Sequence, residues 1–235
     1  MTTESTADGR ELLARVQALG WAAIGRSSEG RAIAAAQLPA GSEAGGRPLL
    51  LMAGIHGNEP ATVDAVLDLL ATGEHSGAGG GCLWVVPALN PDGLLGNQKD
   101  SARGIDLNRN FPARNWRPDH SPGYHPGAGP LSEPETACFA ALVDRIQPRA
   151  VVTVHAPFAC INHDGPAAAW AAAVAAACGW PAQADIGYPT PGSLGSWLGV
   201  DRGLPVLTIE LPPGGYAGFR DQARRALAAA VQGPS

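Results

Sequence analysis

Three residues of this chain have the types and spacing to meet around one divalent ion. His56 follows the apolar run LLLMAGI (49–55), Glu59 comes three residues later where a helical pattern starts, and His155 closes the run VVTVH. Two imidazoles and one carboxylate, with a fourth position open, are a recognised catalytic zinc set. HxxE is a weak sign by itself. His56 could belong to a turn, and Glu59 could merely favour a helix N-terminus by its charge. Glu210, in TIELPP, places a carboxylate inside an apolar strand. An isolated buried carboxylate is costly, so either an ion pair or chemistry must account for it. Beside an activated water it could take a proton and pass it to a leaving amine. Asn108 and Arg109, in GIDLNRNFP (104–112), stand in loop-like surroundings. Arg suits two-pronged binding of a carboxylate, although a surface salt bridge is the commoner fate of a single Arg.

These residues need a scaffold, and the pattern supplies one. Residues 8–19 read as a helix, and WAAIGRSSEGRAIAAAQLPA (21–40) as a hairpin about SSEG. AGSEAGGRP (40–48) is punctuation. The continuous apolar run 49–55 predicts a strand buried on both faces. Helical spacing follows over 59–71, and TGEHSGAGGG (72–81) ends it. A second buried strand covers 82–89. Residues 90–131 show little periodicity and much Gly, Pro, Asn and Asp; so long a stretch inside a compact domain is usually functional. Helix 132–146 carries a predicted capping box of Ser132 and Glu135. Strand 149–156, helix 167–178, strand 204–211 and a last helix 216–231 complete the pattern. The rhythm implies an α/β fold with a mixed, mostly parallel central sheet and helices on both faces. Ligands of such sheets gather at the carboxyl ends of strands, where His56, His155 and Glu210 all fall.

Length and composition set limits. The 235 residues suit a single domain, 1–235. Hydrophobic residues make up 45% and charged residues 16%, which fits a folded globular chain. Net charge is -5 and no Lys/Arg block occurs, so no nucleic-acid partner is expected. The first twenty residues lack a basic and apolar export pattern. AAAWAAAVAAACGW (167–180) is too short to cross a membrane and reads as a buried helix. Cys82, Cys138, Cys160 and Cys178 lack metal-site spacing and are expected as thiols in a cytoplasmic protein. His75 and His163 are expected at the surface.

Eight segments, in order, resemble the zinc carboxypeptidase family: IGRSSEGRAI (24–33), GIHGNEP (54–60), ALNPDG (88–93), GIDLNRNFP, SEPET (132–136), VVTVHAP (151–157), GYPTPGS (187–193) and TIELPP (208–213). Within that family SEPET, DRIQP, FACI and GYPTPGSLGSW look like the bacterial murein peptide amidase branch. The resemblance implies one zinc ion per chain on His56, Glu59 and His155, with Glu210 as general base. It implies a small muropeptide substrate with a free carboxylate held by Asn108 and Arg109, a closing tyrosine at Tyr188, and cleavage of the γ-D-glutamyl–meso-diaminopimelate bond in cell-wall recycling. The family usually carries an Arg that polarises the scissile carbonyl; here Lys99 stands in its place, with Arg103 nearby. Gly195 falls where the family's side-chain specificity pocket is expected and supplies neither apolar wall nor charge. Recognition of the second centre of diaminopimelate is therefore expected from loop 113–131, with Arg114, Arg117, His120 and His125. Two rival readings use the same residues. One is an N-acyl amino acid deacylase of the aspartoacylase or succinylglutamate desuccinylase type. The other is a non-catalytic carboxylate-binding protein on the same fold.

Overall fold

The run Leu49–Met52 is apolar at every position, and a strand of that kind is stable only between two covered faces. The structure, a computed structural model, describes residues 8–40, 46–75 and 81–234. Parts of two expected turns, 41–45 and 76–80, lie outside the described residues. In chain order, α1 (Gly9–Ala18) is followed by β1 (Ala23–Arg26), β2 (Ala32–Ala34), β3 (Ala36–Ala40), β4 (Leu49–Met52), α2 (Pro60–Thr72) and β5 (Gly81–Val86). Then come α3 (Pro91–Gly96), α4 (Pro134–Ile146), β6 (Ala150–His155), β7 (Cys160–Asp164), α5 (Ala168–Cys178), β8 (Ala182–Gln183), β9 (Val206–Glu210) and α6 (Arg220–Ala230).

β1 and β2 form the expected hairpin, but the last part of the same segment, β3, leaves it to pair with β5 in the main sheet. The main sheet has the order β3-β5-β4-β6-β9-β7-β8. Its β4–β5, β4–β6, β6–β9 and β7–β8 pairings are parallel, and β3–β5 and β7–β9 are antiparallel. The mixed, mostly parallel sheet is thus as expected. Strand alternation sorts the apolar residues. Leu49, Leu51, Val152, Val154, Leu207 and Ile209 face α2, α5 and α6. Leu50, Met52, Val151 and Val206 face α4 and the packed pair Phe111 and Trp197, whose rings stack at 5.4 Å. α1 packs through Leu12, Leu13 and Val16 on α2 and α3.

Several features depart from the sequence pattern. β7 and β8 were not expected. The stretch 90–131 holds α3 and a short 3-10 turn, Leu107–Arg109, rather than being wholly irregular. The capping box at Ser132 does not form. Helix α4 begins at Pro134 with Glu133 at the N-cap, and no side chain caps it. Pro is favoured in the first helical turn because it has no N–H to leave unpaired, which moves the start beyond Ser132. Glu135 instead accepts from the Ser28 N–H at 2.8 Å.

Candidate metal centre and active site

The carboxyl ends of β4, β6 and β9 lie side by side, because β4 pairs with β6 and β6 with β9 in parallel. Chain leaving β4 must turn sharply to bring His56 back over the sheet. Gly54 makes that turn at φ 63°, and a Cβ there would meet Val63 Cγ2 at 2.8 Å. Glu59 sits at the N-cap of α2, yet its side chain makes no capping bond. A carboxylate there normally binds its own helix; Glu59 turns to the imidazoles instead. Its Oε1 lies 2.8 Å from His56 Nδ1 and its Oε2 3.6 Å from His155 Nδ1. One ligand atom from each of the three residues falls within 4.8 Å of the others.

The donor set fits zinc in type and in charge. Burial acts against charge on His56, but hydrogen bonds to Asp106 and Glu59 outweigh it and push the imidazole up to about 9. Burial likewise opposes ionisation of Glu59, but His155 and His56 outweigh it and hold the carboxyl at about 2. The carboxylates around these imidazoles favour positive charge at this point, and a metal ion binding there would displace the imidazole proton. His56 is also supported from behind: its Nε2 lies 3.1 Å from Asp106 Oδ1. A carboxylate on the second nitrogen fixes the tautomer and the ring of a metal-binding histidine.

Asp106 was not singled out in the sequence, and it organises the site. It caps the turn Leu107–Arg109 by accepting the Asn108 N–H at 2.9 Å, and it pairs with Lys99. The same carboxylate therefore positions a metal imidazole, the turn bearing Asn108 and Arg109, and a lysine. Asn90 and Asn110 do comparable work on backbone. Asn90 donates to the carbonyls of Ile55 and Asp100, and Asn110 to those of Pro126 and Gly129. Their signal in the sequence was only their place in a Gly- and Pro-rich stretch.

All eight residues expected at the site line one cavity of about 480 Å³: His56, Glu59, Lys99, Asn108, Arg109, His155, Tyr188 and Glu210. This is the size of a small-ligand site. Glu210 stands directly beside His155 in the strand register. It is only 5% exposed, and its Oε2 has no hydrogen-bond partner. Burial lifts its carboxyl above the usual range, with His155 opposing and Glu59 adding to the rise. Arg109, 4% exposed, donates to the Asn108 carbonyl at 2.7 Å and stands 5.0 Å from the Tyr124 ring centroid. No carboxylate among the described residues lies within ion-pair distance of it. Asn108 Oδ1 accepts the Leu194 N–H at 3.0 Å, which leaves its amide NH₂ toward the cavity. Tyr188 packs loosely against Tyr124 and Phe158, with ring centroids 6.1 and 6.2 Å away.

Lys99 also donates to the Gly123 carbonyl at 2.6 Å and stands 4.3 Å from the Tyr124 ring centroid. Arg103 is exposed and lines no part of the cavity. The basic residues of loop 113–131 do not line it either. Arg117 and His120 border a neighbouring recess of about 210 Å³, and the Arg114 N–H bonds Asp201 at 2.6 Å. That recess shares Arg109, Tyr124 and Tyr188 with the main cavity, and Tyr124 is the residue of the loop that lines both. All four cysteines are free thiols. Among the described residues no helix is long and apolar enough to cross a membrane.

Comparisons with known proteins identify the family. The zinc carboxypeptidase family profile matches residues 17–164. Murein peptide amidase A of Escherichia coli (strain K12) is 37% identical, with 80% of each chain covered. The crystal structure of the murein-tripeptide amidase from Escherichia coli O157 superposes with a TM-score of 0.74 at 31% identity, covering 91% of this chain and 92% of that one. Bovine thrombin-activatable fibrinolysis inhibitor, at 16% identity, shares the fold with a TM-score of 0.77 over 97% of this chain and 96% of that one. The chain belongs to the zinc carboxypeptidase family and is a peptide-bond hydrolase of that family.

Proposed function

We propose that residues 1–235 form one catalytic domain that hydrolyses the γ-D-glutamyl–meso-diaminopimelate bond of murein tripeptide, using one zinc ion held by His56, Glu59 and His155. The observation that carries this reading is the pairing of two unsatisfied groups in one cavity. Glu210 has an orphaned buried oxygen beside the metal-ligand cluster, and Arg109 is a buried cation without an anion. The names of the 37%- and 31%-identical relatives support the murein tripeptide as substrate. We place the reaction in the cytoplasm, on wall peptides being recycled.

Zinc, when bound, supplies a Lewis acid that polarises the scissile carbonyl and acidifies water. The chain's own residues do the rest. Arg109 takes the α-carboxylate of the leaving residue in a two-pronged contact, and Asn108 adds a neutral donor. This holds the scissile amide beside the His–Glu–His group and removes orientational freedom before reaction. Glu210 takes a proton from the attacking water and later gives it to the leaving nitrogen; its raised pKa suits a group that must also act as an acid. Lys99 stabilises negative charge on the carbonyl oxygen as a point charge. Tyr188 covers the bound peptide.

The test is mass spectrometry of L-Ala-γ-D-Glu-meso-diaminopimelate incubated with the protein, with and without a chelator. Free diaminopimelate and L-Ala-D-Glu should form only without chelator. An N-acyl amino acid cleaved in place of the tripeptide would assign the site to deacylation.

A further inference from the structure

Loop 113–131 brings an aromatic ring to the edge of the main cavity, and its backbone fixes where that ring stands. Residues 121–124 are Ser, Pro, Gly and Tyr. Pro suits the second place of a type II turn, and the third place needs a positive φ. Gly123 supplies it at φ 81°, and the Tyr124 N–H closes the turn on the Ser121 carbonyl at 3.1 Å. The chain on either side of the ring is then pinned. The Gly123 carbonyl accepts from Lys99 Nζ at 2.6 Å, the His125 carbonyl from the Asp106 N–H at 2.8 Å, and the Pro126 carbonyl from Asn110 Nδ2 at 2.7 Å. All three donors belong to the segment 99–110, which also carries Asn108 and Arg109.

Tyr124 is half-buried and borders both the main cavity and the neighbouring recess. Among the described residues its hydroxyl makes no hydrogen bond. Its contacts are those of the ring. Two cations stand over that ring, Lys99 Nζ at 4.3 Å and Arg109 Cζ at 5.0 Å from the centroid, and the Tyr188 ring lies 6.1 Å away. One side chain thus adjoins the three groups assigned above to the carbonyl oxygen, the carboxylate and the cover of the bound peptide. A ring face attracts a cation without cancelling its charge. A carboxylate in the same place would hold Arg109 and neutralise it. Lys99 has the greater need of support, because a lysine is a point charge on a flexible stem, without the rigid fork of arginine. Asp106, the Gly123 carbonyl and the Tyr124 ring all hold its ammonium.

We propose that Tyr124 is a positioning residue for the hydrolysis: its ring holds Lys99 and Arg109 toward the cavity and leaves their charge available to substrate. Through Lys99 it acts on turnover. Through Arg109 it acts on binding of the leaving residue's carboxylate. This inference rests on the proposed peptide-hydrolase reading and adds a residue to it.

The experiment measures kcat and KM on L-Ala-γ-D-Glu-meso-diaminopimelate for wild type, Tyr124→Leu, Tyr124→Phe, Lys99→Met and the double variant of Tyr124→Leu with Lys99→Met. Tyr124→Leu should lower kcat/KM by about 3- to 30-fold, the range of one to two cation–π contacts, through both a lower kcat and a higher KM. Zinc content and Tm should hold, because the bonds that pin the loop are made by its backbone. Tyr124→Phe, which keeps the ring, should recover most of the loss. In the Lys99→Met background, Tyr124→Leu should still raise KM but lower kcat no further. Calorimetry of free meso-diaminopimelate should show binding weakened by Tyr124→Leu in step with KM. An unchanged kcat/KM in Tyr124→Leu, an equal loss in Tyr124→Phe, or independent effects of Tyr124→Leu and Lys99→Met on kcat would overturn the inference alone. A collapse of Tm or zinc content in Tyr124→Leu would make the ring structural and overturn it as well. Failure of wild type to cleave the tripeptide would overturn the proposed function and the inference with it.

Discussion

Two of the molecule's groups of charged side chains are built on opposite plans. On the helical side, Asp68 of α2 accepts from Tyr216 Oη at 2.9 Å and Arg220 Nε at 3.1 Å, and it pairs with Arg220 a second time. Arg224 lies 3.9 Å away and pairs in turn with Glu74. In the cavity, Glu210, Arg109 and Asp164 are charged groups with no counter-charge within ion-pair distance among the described residues. Both regions shift pKa values: Asp68 is lowered chiefly by Arg220, and Glu210 is raised by burial. A perturbed pKa therefore does not tell them apart, whereas satisfaction does. Asp68 and its arginines have spent their charge on one another at the surface of the helices. Unpaired buried charge costs stability, and Glu210 and Arg109, both buried, with half-buried Asp164 beside them, face a cavity that a ligand can enter.

Removing a cavity charge should damage activity and spare stability, and the largest such effect belongs to Glu210. Glu210→Gln keeps the shape and removes the proton acceptor. The kcat should fall by about 10²- to 10⁴-fold, with bound zinc unchanged and Tm no lower than wild type, since an orphaned charge has been removed. A steady-state assay paired with zinc analysis and a melting curve checks all three. Arg109→Met should reduce kcat/KM by about 10- to 100-fold, the scale of a charged hydrogen bond to substrate. Tm should again hold, because Arg109 pairs with no acid of the fold. A large loss of Tm in either variant would place these residues in the structural class and erase the contrast.

Asp106 sharpens the comparison because it belongs to both kinds. It is buried and saturated like Asp68, yet its partners are a metal-ligand imidazole and Lys99. Asp106→Asn should weaken zinc binding by about 10- to 100-fold, read by competition with a chromophoric chelator. If zinc affinity stays at the wild-type value, Asp106 supports the loop alone.

The sequence revealed the two classes unequally. His56, Glu59, His155 and Glu210 could be placed because each ends or follows an apolar run, and parallel strands bring their carboxyl ends together. Tyr188 and Lys99 came from family resemblance alone, since no periodicity marks GYPTPGS or the loop around residue 99. Asp164 stayed hidden for a physical reason. CINHD shows too little alternation to predict a strand, and the face that Asp164 takes is set by pairing with β9, a contact far away in sequence. Asp106 sat inside a recognised motif, but an Asp before a turn is usually only a cap. Ser132 misled in the opposite way: the local pattern of a capping box was complete, and a proline two residues later together with the distant Ser28 decided the outcome.

The smallest expected effect is on stability, and it tests the saturated side of the comparison. Asp68→Asn keeps the size of the side chain and removes the charge that Tyr216 and Arg220 face. Arg220 is half exposed, so solvent screens its share. The loss should be about 1–2 kcal/mol, or roughly 2–8 °C in Tm for a chain of this size. Activity should be unchanged, because α2 presents Asp68 away from the cavity. The pH dependence fixes the sign. The folded-state pKa of Asp68 is depressed, so its contribution is fully present above the unfolded carboxyl value, about 4, and is lost as pH falls through the folded value. The Tm gap between wild type and Asp68→Asn should therefore be constant from pH 7 to about 5 and close below about 4. A gap that persisted in acid would mean that shape, rather than the charge of Asp68, holds this cluster together.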